Sequence, residues 1–451
     1  MASTMRVLAV SSAVAVLVLV LAACGSSTSD SGTSTSGASG GGGDTTVAAD
    51  PKLLVPFPKH PAPAGGNGGA TDTGVTESQV QAGSLYAASG PLPGAQVNTY
   101  LGARAYFEYV NASGGVYGRK VALKSLDTGF DASKGQAICT SNVPDLFAFV
   151  GTQSNVDAAC KPLVESSGIP FIGNWFDPSY AELPNAMGSL PSQPPGEMWN
   201  VGCAAMKAAK PEIKKVAILW INVAGIKTFV ELEKECWRSV GVEPVYDVGI
   251  DAQAPNMTSY VLQAKSKGAD VVDAFAQDVT GASRIAQAMK QQSWDAVGFN
   301  YAVYDEKWHK LAAPGAAGWT SNPPYGIGPF LDRAELNTTP GGALFYKWFP
   351  QVNPGKPIDV FAIEGWVQAQ YFTQGLIDAG PKLTRRGLLA ALARIDTWDN
   401  GGLTAPVKWN RPGKAAGNCG VVMQATDDGY ERLEPKERGR FFCDSKLVRL
   451  P

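Results

Sequence analysis

The chain reads as an α/β protein built from two doubly wound parallel-sheet lobes, and three observations lead there. From residue 75 onward, short apolar runs alternate with stretches of helical spacing, the rhythm that builds a parallel sheet. Two of those runs, 147–150 and 169–172, are continuously apolar and end abruptly in small or polar residues, as buried strands do where they reach a ligand crevice. Roughly 380 residues follow position 75, too many for one ordinary core and natural for two.

Taken in order, 80–86 reads as a strand and 95–111 as a helix, with Val97, Leu101, Ala105 and Tyr109 spaced by four on one face. A strand at 121–126 and a helix at 132–142 follow, leading into the two apolar runs and the loops after them. Beyond a Pro-rich break at 190–195 the pattern starts again, with a strand at 216–221 and a helix at 228–240 that turns Phe229, Leu232, Cys236 and Val240 inward. Strands at 242–250 and 271–275 flank a helix at 257–267, and 282–291 is a further helix. After a Pro/Gly-rich passage at 322–329 come helical segments at 345–349, 360–379 and 388–393. A hairpin from 420–423 to 430–433 closes the chain.

Ahead of this body, residues 1–23 carry one charge, Arg6, and an apolar run at 7–21. A spanning helix needs about 20 apolar residues, so this run fits a signal peptide better than an anchor and predicts export. Leu21-Ala22-Ala23-Cys24 looks like a bacterial lipobox, which makes Cys24 the expected lipidated residue and the cell membrane its anchorage. Residues 24–74 are rich in Gly, Ser, Thr and then Pro, a composition that buries too little apolar surface to order itself, and predict a flexible tether. The net charge of −2 moves to about −3 without the leader, leaves no basic patch and excludes nucleic acid as a natural partner.

Of seven cysteines, six lie beyond Cys24: Cys139, Cys160, Cys203, Cys236, Cys419 and Cys443. An even count in an exported chain favours disulfides; fifteen pairings are open, and pairing neighbours in sequence keeps each bridge within one half. No CxxC pair exists to hold zinc, and no metal or cofactor is expected. Catalysis finds little footing either. His60 falls in the tether and leaves His309 alone, 151–155 lacks the closing glycine of a nucleophile elbow, and no phosphate or dinucleotide loop opens a helix. Asp177, Asp278, Asp305 and Glu306 stand near loop ends, where a helix cap or a solvated charge is the plain reading.

Several segments together carry a resemblance. Gly74-Val75-Thr76-Glu77, Ala88-Ser89-Gly90-Pro91 after the first strand, Asn111-Ala112-Ser113-Gly114-Gly115-Val116-Tyr117-Gly118-Arg119, Gly168-Ile169-Pro170, Ser259-Tyr260-Val261 and Lys267-Gly268-Ala269-Asp270-Val271-Val272 stand in an order similar to type I periplasmic binding proteins of the leucine/isoleucine/valine-binding-protein-like group. These are the extracytoplasmic ligand receptors of ABC importers, and the likeness covers 75 to about 433. It implies two lobes joined by three crossovers, one at 75–196 plus 327–402 and the other at 197–326 plus 403–451. Under that split each local cysteine pair stays inside one lobe.

The resemblance also implies where a ligand binds. Ser89 and Leu92 of the first loop would line one wall. Gln153, Ser154 and Asn155, with Asn174, Trp175, Phe176 and Asp177, would hold a polar or anionic end through side chains and backbone N–H groups. Asn222, Ala224, Gln277, Asp278, Asn300, Tyr301 and Tyr304 would face them from the second lobe. Amino-acid-binding members carry an acidic residue near the position of Asn300-Tyr301, and its absence argues against an α-amino acid, because a buried ammonium needs a partner. Asp278 could substitute, although it is equally suited to cap the helix that follows.

Trp175, Phe176, Tyr301 and Tyr304 suggest instead an aromatic or extended apolar ligand with a hydrogen-bonding or anionic end. The function implied is capture of a small molecule by a monomer for a membrane permease, without chemistry. A sensor or scavenger that signals to a partner is the alternative, which neighbouring genes would separate. An exported enzyme, which predicts turnover, ranks third.

Overall fold

The structure, a computed structural model, describes residues 59–90, 94, 96–188, 196–222, 226–251, 254–411 and 414–450. The leader, Cys24 and the tether up to residue 58 lie outside the described residues. So do Leu92 and Ala224.

The first lobe follows the expected rhythm: β1 (Gln79–Tyr86), α1 (Val97–Ala112), β2 (Lys120–Asp127), α2 (Ala132–Asn142), β3 (Ala148–Thr152), α3 (Lys161–Ser167), β4 (Phe171–Gly173) and β5 (Ala186–Met187). Its five parallel strands stand in the order β2-β1-β3-β4-β5. The chain then crosses to β6 (Glu197–Trp199), α4 (Val201–Ala209), β7 (Lys215–Ile221), α5 (Ile226–Ser239), β8 (Glu243–Ile250), α6 (Thr258–Ser266), β9 (Val271–Asp273), α7 (Val279–Gln291), β10 (Val297–Phe299), α8 (Trp308–Ala312) and β11 (Thr320–Ser321).

It returns with α9 (Arg333–Leu336), α10 (Pro340–Val352), α11 (Val360–Ala379), α12 (Arg385–Leu392) and a small sheet of β12 (Thr397–Trp398), β13 (Val407–Arg411) and β14 (Lys414–Ala416). The last passage brings β15 (Val422–Ala425), β16 (Tyr430–Glu434) and β17 (Leu447–Arg449). The second sheet runs β16-β15-β11-β10-β9-β7-β8, parallel from β8 to β11 and antiparallel at the predicted hairpin β15–β16. Its β8-β7-β9-β10-β11 core repeats the order of the first sheet, so in each sheet the strand order reverses beside its first strand, where α/β sheets open a crevice.

α11 is buried along most of its length, with Glu364, Gln368 and Thr373 among its buried residues. Asp359 caps its start by accepting from Ala362 N at 2.9 Å. It crosses α1 at two glycines: a Cβ on Gly365 would overlap the Thr99 carbonyl, and one on Gly102 the Ala362 carbonyl. Two backbones in contact leave nowhere for a methyl group to go. Gly365→Ala is therefore expected to destabilise the chain by about 1–3 kcal/mol, read as a lower urea midpoint, and an unchanged midpoint would show that the helices separate freely.

The three disulfides pair sequence neighbours, Cys139–Cys160, Cys203–Cys236 and Cys419–Cys443. Two expectations need correction. Residues 59–74, expected as the end of a tether, are packed on the first lobe. The buried Arg119 guanidinium donates to Asn67 O at 2.8 Å and Gly69 O at 2.9 Å, Thr71 Oγ1 bonds Leu383 O, and Arg385 N donates to Asp72 Oδ2 at 2.7 Å. Lys414, expected in the second lobe, donates to Leu183 O and Ala186 O at the edge of the first sheet.

Candidate functional site

A cavity of about 330 Å³ opens where the two sheets and the crossings between them meet. From the carboxyl end of β4 come Gly173, Asn174, Trp175, Phe176 and Pro178. From the ends of β9 and β10 come Asp273, Phe275, Ala276, Phe299, Asn300 and Tyr301. α5 contributes Ile226, Phe229, Leu232, Glu233 and Cys236, and the crossings add Met198, Trp199, Val201, Asn322 and Pro324. The α5 residues repeat at three and four positions, so they share one helix face. Most of the lining is apolar, and the polar groups are few and localised.

Of the residues expected to bind, the structure gathers Asn174, Trp175, Phe176, Asn300 and Tyr301 around this cavity. The other described ones lie elsewhere. Ser89 is exposed and turns its N–H onto Asp127. Gln153 and Ser154 are buried within the first lobe, where Ser154 Oγ meets Thr128 Oγ1 at 3.1 Å, and Asn155 Oδ1 accepts from Gln96 Nε2 at 2.6 Å. Asp177 caps the turn after it through Ser179 N, and Asp278 caps α7 through Gly281 N, the plain reading in both cases. Asn222 is exposed, and Gln277 is buried with Nε2 directed at Leu219 O.

Tyr304 is a packing residue. Its ring sits between Phe330 and Tyr430, and its hydroxyl accepts from Leu331 N and Asp332 N at 3.2 Å. His309 packs on Tyr430, and His60 on Tyr117.

Two of the backbone N–H groups expected to receive an anion are already occupied by a carboxyl. Phe176 N and Asp177 N donate to the buried Asp157 carboxylate at 2.6 and 3.1 Å, and Ala88 N donates to Asp127 Oδ1 at 2.8 Å. Asp157, on the turn after β3, thus fills the hole that the loop sequence advertises.

Three carboxyls escaped sequence reading. Glu364 of α11 accepts from Asn174 Nδ2 at 3.0 Å, directly behind the cavity wall. Glu233 and Asp273 face the cavity itself, bonded carboxyl to carboxyl, with Trp237 Nε1 donating to Asp273 Oδ2 at 2.9 Å. Glu233 had a usable signal, since it stands four residues after Phe229 on the face that the spacing turns inward. Cys203 and Cys236 lie close enough to Glu233 to suggest a metal site, but both sulfurs are bonded to each other and offer no thiolate.

Burial pushes Glu364 up to about 8, Asp157 to about 7 and Asp359 to about 7, each against its hydrogen-bond donors. A carboxyl raised in the fold is held neutral there, so its stabilising effect is full below the ordinary value of about 4 and is lost as pH rises through the folded value. The expected result is a urea midpoint higher near about pH 5.5 than near about pH 8, with Glu364→Gln narrowing the difference. Equal midpoints at both pH values would show that these groups ionise without penalty.

Two similarly ordered sheets meeting over a shared cavity define a two-lobed binding protein. The chain belongs to the Periplasmic binding protein family, which matches residues 79–430 and places it outside the cytoplasm. Among curated relatives, a Leu/Ile/Val-binding protein homolog 8 of Brucella abortus is 26% identical over 205 residues, 43% of this chain and 51% of that relative. The chain thus spans about half the length of the curated relatives it matches. A fatty acid ABC transporter substrate-binding protein from Thermomonospora curvata superposes with a TM-score of 0.69 at 20% identity, covering 84% of this chain and 96% of its own. An ABC-transporter solute-binding protein from R. palustris in complex with benzoate gives 0.63 at 21%, covering 79% and 96%. At these identities the likeness is one of fold. Among the described residues no helix is long and apolar enough to cross a membrane.

Proposed function

We propose that the chain captures a small organic ligand with an apolar body and a hydrogen-bonding end in this cavity, and presents it to an ABC importer without altering it. The observation that carries the reading is the cavity, contributed to by the strand ends of both sheets, with Trp175, Phe176, Phe229, Phe275, Phe299 and Tyr301 in its wall. Its volume lies at the small end of the range for ligand pockets, about 300–1,000 Å³. The fatty acid and benzoate named for the two structural neighbours support an apolar body, as does 4-hydroxybenzoate in a second R. palustris protein.

One lobe is 75–196 plus 327–402, with 59–74 and the strands up to Lys414–Ala416 packed with it, and the other is 197–326 plus the remainder of 403–451, closing over the ligand by rotation about the three crossings. Lipidation at Cys24 would hold a monomer at the membrane beside its permease. Native mass spectrometry of protein purified from its source tests the reading directly. A bound molecule of a few hundred daltons that also raises the melting temperature when added back is the expected result. Protein that purifies empty and gains no stability from any fraction of a metabolite extract would sink it.

A further inference from the structure

We infer that the cavity holds the polar end of its ligand as a hydrogen-bond donor, a protonated amine gripped by Glu233 and Asp273, and disfavours a carboxylate there. The inference rests on the solute-capture reading and specifies the chemistry of the same site.

Charge placement carries the argument. Among the described residues lining the cavity none is Lys, Arg or His, while Glu233 and Asp273, 6% and 1% exposed, both line it. Two backbone donors of the loop after β4, Phe176 N and Asp177 N, are occupied by the internal Asp157 carboxyl, and Ala88 N of the first loop is taken by Asp127. Asn300 Nδ2 is directed at the carbonyls of Ala274 and Gln277, and Asn174 Nδ2 at Glu364. Asn322 Oδ1, also in the lining, is a buried acceptor with no donor among the described residues. Among the described residues Trp199 Nε1 is the one buried side-chain donor of the lining without a partner, and a single neutral N–H does not balance a carboxylate facing two more.

The elements packed on α5 bring no cation to this pair. Arg449 pairs with Glu197, Lys234 pairs with Glu231 and Asp247, Lys207 donates to the carbonyls of Pro211 and Ile213, and Lys215 and Glu243 are exposed. The Cys203–Cys236 disulfide beside Glu233 does not titrate. Burial raises both carboxyls, so the empty pair keeps a proton between its two oxygens. An ammonium entering the cavity replaces that proton, which leaves to solvent, and amine affinity then rises with pH. A carboxylate must instead bring a proton with it, and its affinity falls.

Calorimetric titration with three isosteric probes, 3-phenylpropylamine, 3-phenylpropan-1-ol and 3-phenylpropanoate, separates these cases. Near about pH 7.5 the amine is expected to bind at least about tenfold more tightly than the carboxylate. Its binding should release a proton, seen as an enthalpy that differs between Tris and phosphate buffers, and should strengthen between about pH 6 and pH 8. Glu233→Gln and Asp273→Asn should each abolish the advantage of the amine. A carboxylate or alcohol binding as tightly as the amine, or amine binding without proton release in the unaltered protein, overturns the inference, and the latter needs no variant to fold. Binding of none of the three at millimolar concentration overturns it as well. The capture reading falls separately, and only if the purified protein also carries no molecule and responds to no extract.

Discussion

Replacing Arg432 with methionine is expected to cost about 3–5 kcal/mol of unfolding free energy, the largest single effect foreseen here. Arg432 on β16 meets Glu335 on α9 in a two-pronged ion pair, Nε to Oε2 at 2.8 Å and Nη2 to Oε1 at 2.6 Å, with the side chains 6% and 5% exposed. The pair joins a helix that follows the second crossing to a strand of the second sheet. Removing the guanidinium leaves Glu335 buried with Gly439 N as its remaining donor, and strands the carbonyls of Pro435 and Arg440 that Arg432 also satisfies. A buried charge without its partner costs more than the pair ever contributed. Restoring neutrality with Glu335→Leu in the Arg432→Met background should therefore recover a good part of the loss. Urea unfolding of the two variants checks this, and a single variant as stable as the parent would show the pair to be solvated.

Tyr301→Ala should weaken ligand binding by about ten- to a hundredfold, since it removes an aromatic wall from the cavity. The half-buried ring loses solvent around its hydroxyl and lies near Asp278 and Glu364, which pushes the hydroxyl up and keeps it protonated, so its contribution is contact and not charge. Asn174→Ala should weaken binding by about tenfold at the opposite wall, partly by leaving Glu364 without its donor. Both variants are expected to keep the parent's circular dichroism. Affinity for the co-purified ligand, measured by calorimetry, decides; no change in either variant would mean that the ligand lies outside this cavity.

The contrast between these residues and those that fell away shows what was legible. Long periodic elements such as α1 and α11 announce themselves by spacing, and 360–379 was read to the residue. β10 and β11, of three and two residues, carry no period at all, and they pair only because the second sheet presents an edge to them. Asn174 to Phe176 and Asn300 to Tyr301 were found because they directly follow strands. Gln153 to Asn155 follow a strand equally well, yet they close the interior of one lobe.

No local pattern reports whether a backbone N–H is free, and the anion hole after β4 was filled by Asp157, almost twenty positions earlier in the chain. Glu233 was hidden by company. Between Glu231 and Glu235 it looks like one more charge on a solvated face, and only the helix period set by Phe229, Leu232 and Cys236 distinguishes it.

The docked segment at 59–74 settles a question of mechanics. Its hydrogen bonds to the rest of the chain, from Asn67 to Tyr117, from Arg119 to Asn67 and Gly69, from Thr71 to Leu383 and from Arg385 to Asp72, land beside the first sheet and its helices. Whatever the preceding chain is fastened to, its pull arrives there. If the proposed closure occurs, the first lobe is the one held by the preceding chain, and a label on the second lobe would report the movement.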